Sequence, residues 1–110
     1  MLAKENRLTK KIDFENLRQN GKFLTTPYFS FSFIKRETGT PSRFGFIVSK
    51  KISKSAVVRN KVKRTLREIV RKNISTVKGS WDAVFLVKPR ILNEESLKIE
   101  REALKCLETL

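Results

Sequence analysis

The chain has 110 residues, of which 25 are Lys or Arg and 11 are Asp or Glu, giving a formal net charge of +14 and a pI near 10.4. Such a charge on a short chain indicates a polyanionic partner, with nucleic acid the first candidate and an anionic membrane surface the second. The sequence has no His, so it lacks the commonest general base and metal ligand, and the single cysteine, Cys106, excludes an internal disulfide. With 39% hydrophobic residues the chain can form one core, so we expect a single domain over residues 1–110.

No apolar run approaches the roughly 20 residues that a membrane-spanning helix needs. The N-terminal stretch MLAKENRLTKK has no hydrophobic segment of the kind found in signal peptides. We therefore expect the protein to stay in the compartment where it is made, and its single cysteine is compatible with a reducing cytoplasm.

The N-terminal part of the chain predicts one short helix followed by a connection. Residues 10–20 read as a helix, and Gly21 is placed to end it as a C-terminal cap. Three apolar side chains can approach one another along this helix: Ile12, Phe14 and Leu17. Residues 22–27 are expected to connect the helix to the first strand.

Two segments alternate with a period of two, as strands with one buried face do. In residues 28–35 the inward set is Phe29, Phe31 and Phe33, and in residues 43–49 it is Phe44, Phe46 and Val48. Residues 36–42, RETGTPS, have the composition of a turn. We predict that the two strands form an antiparallel hairpin.

The second half predicts a helix, a strand and a last helix. A basic loop over residues 50–55 leads into a helix from residue 56 to about 73, and residues 82–88 carry the apolar run of a central strand buried on both faces. Asn93 is a good N-cap for the last helix. The residues of the last helix that we expect to face the core are Leu97, Ile99, Leu104 and Leu107. The predicted fold is α+β, in the order helix, strand, strand, helix, strand, helix, with one small sheet and helices packed against it.

The basic loop and the helix after it concentrate the charge. Residues 50–73 contain ten Lys or Arg and one acid, Glu68. If this segment is a helix, which turns 100° per residue, the cations lie on a different face from an apolar stripe that includes Val62, Leu66 and Ile69. Cations four residues apart are about 6 Å apart along the axis, similar to successive phosphates of an RNA strand. The candidate RNA contacts are Lys50, Lys51, Lys54, Arg59, Asn60, Lys61, Lys63, Arg64, Arg67 and Arg71.

Catalytic groups are not recognisable elsewhere in the sequence. There is no nucleophile motif, no Gly-rich phosphate loop and no convergent set of acids of the kind that a two-metal nuclease needs. We therefore predict that the protein has no catalytic residue and no metal site of its own. Most of the Phe residues have core periodicity, whereas Phe14 is a candidate both for stacking on single-stranded RNA and for core packing.

The segment FGFIVSKKISKSAVVRNKVKRTLRE, residues 44–68, resembles the signature of the protein subunit of bacterial ribonuclease P. That signature has a strand ending in V-S-K-K, a short loop, and a helix opening A-V-x-R-N-R-x-K-R-x-x-R-E. The matching residues are Val48, Ser49, Lys50, Lys51, Ala56, Val57, Arg59, Asn60, Lys63, Arg64, Arg67 and Glu68. Residues 6–22 look like the first helix of the family, and residues 82–90 look like its last strand.

The resemblance implies a protein cofactor of an RNA enzyme that removes the 5′ leader of precursor tRNA, with magnesium held by the catalytic RNA rather than by the protein. It also implies a left-handed crossover through the basic helix, and a cleft between the first helix, the sheet and the basic helix that receives the leader. The residues carried over to this cleft are Phe14, Arg18, Ser32, Ser49, Lys63 and Arg67.

This sequence departs from the family pattern at several positions. Lys61 replaces an Arg, the loop at residues 53–55 is one residue longer and lacks a Gly, and Arg18 and Ser32 stand where relatives often have aromatic residues. Two other functions remain open on the residues alone. One is a structural RNA-binding module, for instance a ribosome-associated protein, and the other is a protein bound to a membrane surface.

Overall fold

The computed structural model describes residues 2–110, and Met1, the first residue of the predicted domain, lies outside the described residues. Within residues 2–110, regular structure consists of three α-helices and four β-strands, with short 3-10 turns at Lys4–Asn6, Ile74–Thr76 and Pro89–Asn93. The elements in chain order are α1 (Lys11–Asn20), β1 (Lys22–Thr25), β2 (Phe29–Lys35), β3 (Arg43–Ile47), α2 (Ala56–Asn73), β4 (Trp81–Val87) and α3 (Ser96–Glu108).

The four strands form one sheet in the order β1-β2-β4-β3. β2 is antiparallel to both β1 and β4, whereas β3 is parallel to β4 and is joined to it through α2. The predicted α+β class is confirmed. The left-handed sense of the β3–α2–β4 crossover stays a prediction.

The predicted hairpin of the two Phe-rich strands is wrong, because β4 lies between β2 and β3. β4 is the strand with the continuous apolar run, and residues 82–85 are all buried. A strand that is apolar on both faces is stabilised most at the centre of the sheet, where it has a neighbour on each side. The outer edge of β3 meets the N-terminal segment through a parallel bridge between Arg7 and Phe44.

One face of the sheet builds the main core. Phe29, Phe31 and Phe85 are fully buried there, and Phe29 meets Phe85 edge to face with ring centroids 5.0 Å apart. Helices α2 and α3 cover this face with residues such as Leu66 and Ala103. Alternate positions of β2 and β3 thus pack into the helical layer, as the period-two pattern predicted.

The opposite face of the sheet carries α1 over a smaller cluster that contains Leu8, Leu17 and Val84. The ring of Phe14 lies directly above Gly45, where an added Cβ would be 2.7 Å from a ring carbon. A glycine on β3 is therefore required for this helix to approach the sheet. Phe14 is half-buried.

One prediction about the first helix is wrong, and another is confirmed in position but not in conformation. Ile12 is 74% exposed, because it points away from the sheet on the side opposite Leu17. Gly21 caps the helix as predicted, with its N–H donating to the carbonyl of Leu17 at 2.9 Å, but its conformation is extended, with φ −78° and ψ 155°, and not the left-handed one of a glycine cap. Its small size is what matters, because a Cβ there would be 2.5 Å from the carbonyl oxygen of Leu17.

Two further element boundaries differ from the predictions. The connection over residues 22–27 contains β1, an edge strand whose four residues are all exposed, so no buried face marks it in the sequence. The last helix begins at Ser96 with Glu95 at its N-cap position, because Pro89–Asn93 forms a 3-10 turn first. Leu97, expected to face inward, is 67% exposed as a result.

Candidate nucleic-acid interface

Helix α2 spans Ala56–Asn73, in agreement with the prediction, and Ser55 is its N-cap residue. The Ser55 hydroxyl accepts a hydrogen bond from the backbone N–H of Val58 at 3.3 Å, which satisfies one of the free donors of the first turn. The first turn contains no acid, so the positive end of the helix dipole is not neutralised locally. Leu66 and Val70 on the inner face are completely buried.

The cations of α2 lie outside this buried stripe, which confirms the predicted separation of the two faces. Arg59 and Lys63 flank the apolar stripe and are half-buried. The remaining polar candidates of the helix are exposed: Asn60, Lys61, Arg64, Arg67 and Arg71. We call the exposed and half-buried cations of α2, together with those of the preceding loop, the cation surface.

Members of the cation surface differ in their partners. Arg71 donates to Glu68 one turn earlier, and this bond lowers the pKa of Glu68 and raises the pKa of Arg71. Within residues 2–110, by contrast, no carboxylate lies within 4.0 Å of the charged groups of Lys63, Arg64 or Arg67. These three side chains are therefore available to an external anion. In the same range, the exposed lysines of the cation surface have no such partner either: Lys50, Lys51, Lys54 and Lys61.

The basic loop between β3 and α2 has a defined path. Ile52 is buried in the main core, and its N–H donates to the carbonyl of Ser49 at 3.0 Å. Arg59 donates from a terminal guanidinium nitrogen to the carbonyl of Ser53 at 2.9 Å, which ties the loop to the helix. With Ile52 turned inward, the loop leaves three lysines in solvent: Lys50, Lys51 and Lys54.

A second surface lies beside α1, on the face of the sheet that α1 covers only in part. The strand registers align Thr25, Ser30, Leu86 and Ile47 across the four strands. Leu86 is 47% exposed and Ile47 is 37% exposed, so this row is open to solvent. We call the open row and the adjacent side of α1 the cleft.

The structure places some of the predicted leader residues on the α1 side of the sheet and others on α2, which packs against the opposite face. Phe14 packs on Gly45 at the edge of α1, and Ser32 is half-buried next to Val84 in the neighbouring row. Arg18 is exposed and bonds to Glu15 at 2.9 Å. Ser49 is exposed just beyond β3, where the chain turns into the basic loop, whereas Lys63 and Arg67 are on α2.

Sequence reasoning missed one residue at this surface. Phe23 on β1 is 74% exposed and lies directly opposite Ser32 in the antiparallel register, so it faces the same side of the sheet as the cleft. An exposed aromatic ring therefore stands beside Ser32, one of the positions that the family resemblance assigns to the cleft. The segment KFLT gave no signal for it, because a strand without a buried residue shows no alternation of apolar and polar residues.

The described residues contain no group of three or more His, Cys, Asp or Glu side chains that is arranged to hold a metal ion. Between Leu2 and Leu110, none of the helices has the length and apolar character to cross a bilayer. The features that the structure does offer a partner are the cation surface and the cleft.

A family model described as Ribonuclease P matches residues 2–110. Among curated proteins, the chain is 35% identical over 104 residues to a ribonuclease P protein component from Cyanothece sp., covering 81% of this chain and 79% of that protein. It is 37% identical over 94 residues to the one from Fusobacterium nucleatum, covering 84% and 83%.

Solved structures give the same result. The chain superimposes on the ribonuclease P protein from Thermotoga maritima with a TM-score of 0.82 at 29% identity, covering 94% of this chain and 96% of that one. The TM-score is 0.83 at 25% identity for the ribonuclease P protein of Staphylococcus aureus, covering 96% and 95%.

Proposed function

The chain belongs to the ribonuclease P protein family and serves as a protein subunit of ribonuclease P, and on this premise we propose what it binds and how it acts. The cation surface binds the catalytic RNA, and the cleft receives the 5′ leader of precursor tRNA. The RNA carries out the cleavage, in the cytoplasm, and the protein alone is inactive. The observation that carries this proposal is that Lys63, Arg64 and Arg67 on α2 have no carboxylate within 4.0 Å of their charged groups in residues 2–110.

Phosphate binding follows from the arrangement of charge on α2. Lys63 and Arg67 are one helical turn apart and repel each other when no anion is near. A polyanion removes this repulsion and releases its condensed counterions, so binding is favoured and depends strongly on salt. Arg64 and Arg67 can each grip a phosphate with two parallel N–H bonds, which a lysine cannot do.

Leader binding follows from the shape of the cleft. A single strand can lie along the open row with its bases toward Leu86 and Ile47, which are apolar and exposed. Phe23 and Phe14 offer rings at the two ends of the row next to it, over β1 and over Gly45 of β3, and stacking on such rings is tolerant of base identity. Tolerance of this kind suits a site that must accept leaders of many sequences.

The chemistry of cleavage belongs to the RNA in this proposal. Magnesium is required by the holoenzyme and is held by the RNA, and the protein contributes neither a general base nor metal ligands to the cleavage. The role of the protein is to neutralise phosphates near the reactive centre and to hold the leader, which strengthens binding of both substrate and magnesium.

Sequencing the RNA that copurifies with the protein tests the choice of partner. We expect enrichment of the catalytic RNA of ribonuclease P and of precursor tRNA over total cellular RNA. Enrichment of ribosomal RNA instead would contradict the proposal and favour a ribosome-associated module. Binding to anionic vesicles that survives ribonuclease treatment would favour the membrane-surface function.

A further inference from the structure

A cluster of charged side chains joins α1 to the sheet beside the cleft. Asp82, in β4, is only 5% exposed. Arg43 lies opposite it in the parallel register and donates from Nε and Nη2 to its two carboxylate oxygens, at 2.8 and 2.6 Å. The same Nη2 is 3.4 Å from Oδ1 of Asp13 on α1. Arg36, which follows β2, adds a longer ion pair, with its Nε 3.5 Å from Oδ1 of Asp82.

This arrangement directs one fixed cation toward α1. A bidentate bond to a buried carboxylate holds the plane of the Arg43 guanidinium, so the group cannot turn freely toward solvent. Its Nη2 is shared between Asp82 on the sheet and Asp13 on the helix. The first turn of α1 is thereby attached to β3 and β4 at a defined position.

Few other contacts hold α1 against the sheet. It has ten residues, fewer than the roughly 12–15 that an isolated helix needs for stability in water. Leu17 is its one buried residue, and Phe14 is half-buried. The cluster beneath it has three buried residues, compared with eighteen in the main core. The Asp13–Arg43 pair is therefore one of the few contacts that fix the first turn of this helix.

The geometry points to a charged clamp, formed by Asp13, Arg43 and Asp82, that fixes α1 over the sheet and so sets the opening of the cleft. Asp13 immediately precedes Phe14, so a movement of the first turn moves the ring that borders the open row. This inference rests on the proposed function, because the occupant of the cleft is taken to be the precursor leader. Asp13, Arg43 and Asp82 are positioning residues, and they do not touch the RNA in this account.

The test uses Asp13→Asn, which keeps the size of the side chain, removes its charge and leaves the Arg43–Asp82 pair intact. Glu37→Gln is the matched control, because it changes net charge equally at an exposed turn between β2 and β3. Each variant is combined with the catalytic RNA, and its affinity is measured for precursor tRNA and for mature tRNA. We expect Asp13→Asn to weaken precursor binding about fivefold, the scale of one partly exposed ion pair, and to leave mature tRNA binding unchanged.

Amide hydrogen exchange of the free protein gives a second readout. We expect Asp13→Asn to speed exchange in α1 and leave exchange in α2 unchanged, and we expect Arg43→Lys to act in the same direction because Lys cannot bridge two carboxylates with a fixed fork. If Asp13→Asn lowered the affinity for precursor and mature tRNA equally, or left hydrogen exchange in α1 unchanged, the clamp would be overturned. If the wild-type complex shows no preference for precursor over mature tRNA, leader binding itself fails, and hydrogen exchange alone then decides whether the clamp exists.

Discussion

At the scale of single residues, the cations of α2 are not equivalent. Arg71 is bonded to Glu68, and Arg59 is bonded to the loop carbonyl of Ser53, whereas Arg64 has neither partner. Helical angles computed from the sequence placed all three on the polar side of the helix. Those angles could not show which guanidinium already has a partner, because that depends on the rotamers and on the path of a loop.

Replacing Arg64 with Ala should weaken RNA binding and flatten its salt dependence. One phosphate contact contributes about one unit to the slope of log affinity against log salt. Lys105→Ala is the matched control, because Lys105 is an exposed cation on α3 that is paired with Glu102. Fluorescence anisotropy at a series of salt concentrations measures the slope for the wild type and for each variant. An Arg64→Ala slope equal to that of the wild type would show that this residue contacts no phosphate.

Gly45 should be required for the close approach of Phe14. Its Cβ position is 2.7 Å from the ring, so Gly45→Ala must displace the helix or the strand, at a cost of about 1–3 kcal/mol in the free energy of unfolding. Phe14→Ala removes the obstacle, so the cost of Gly45→Ala should be smaller in that background. Urea denaturation of the four proteins in this double-mutant cycle measures the coupling. Equal costs in the two backgrounds would contradict the contact.

At the scale of elements, the sequence predicts what is periodic and fails where pairing depends on distant residues. α2 was predicted within its observed bounds because eighteen residues repeat an apolar stripe and Ser55 caps the start. The hairpin was wrong because β2 and β3 are adjacent in the chain and β4, far along the sequence, separates them. β1 was missed because an exposed edge strand leaves no apolar alternation.

The N-cap of α2 should contribute measurably to stability. Ser55→Ala removes the hydroxyl that accepts from Val58 N–H, at a cost of about 1 kcal/mol in the free energy of unfolding. Ser75→Ala, in the exposed 3-10 turn after α2, is the matched control and should change stability by less than about 0.5 kcal/mol. Thermal or urea unfolding compares the two variants, and equal stabilities would contradict the capping bond.

At the scale of the whole molecule, the fold presents two surfaces to RNA. The β3–loop–α2 segment carries the cation surface, and the partly covered face of the sheet forms the cleft. Sequence patterns identified the first surface, because charge and helical period are local. The second surface depends on strand order and on how far α1 extends over the sheet, so neither the open row nor Phe23 could be located before the strands were paired.

Cleavage of precursor tRNA at low magnesium tests the central claim most directly, because the protein is proposed to support an RNA that performs the chemistry. The catalytic RNA is assayed with the protein, without it, and with Lys105→Ala as a control for nonspecific charge, and the protein is assayed alone. The account predicts that the RNA cleaves poorly by itself at low magnesium, that wild-type protein and Lys105→Ala both stimulate release of the leader, and that the protein alone does not cleave. Failure of the protein to stimulate the RNA, or cleavage by the protein alone, would contradict it.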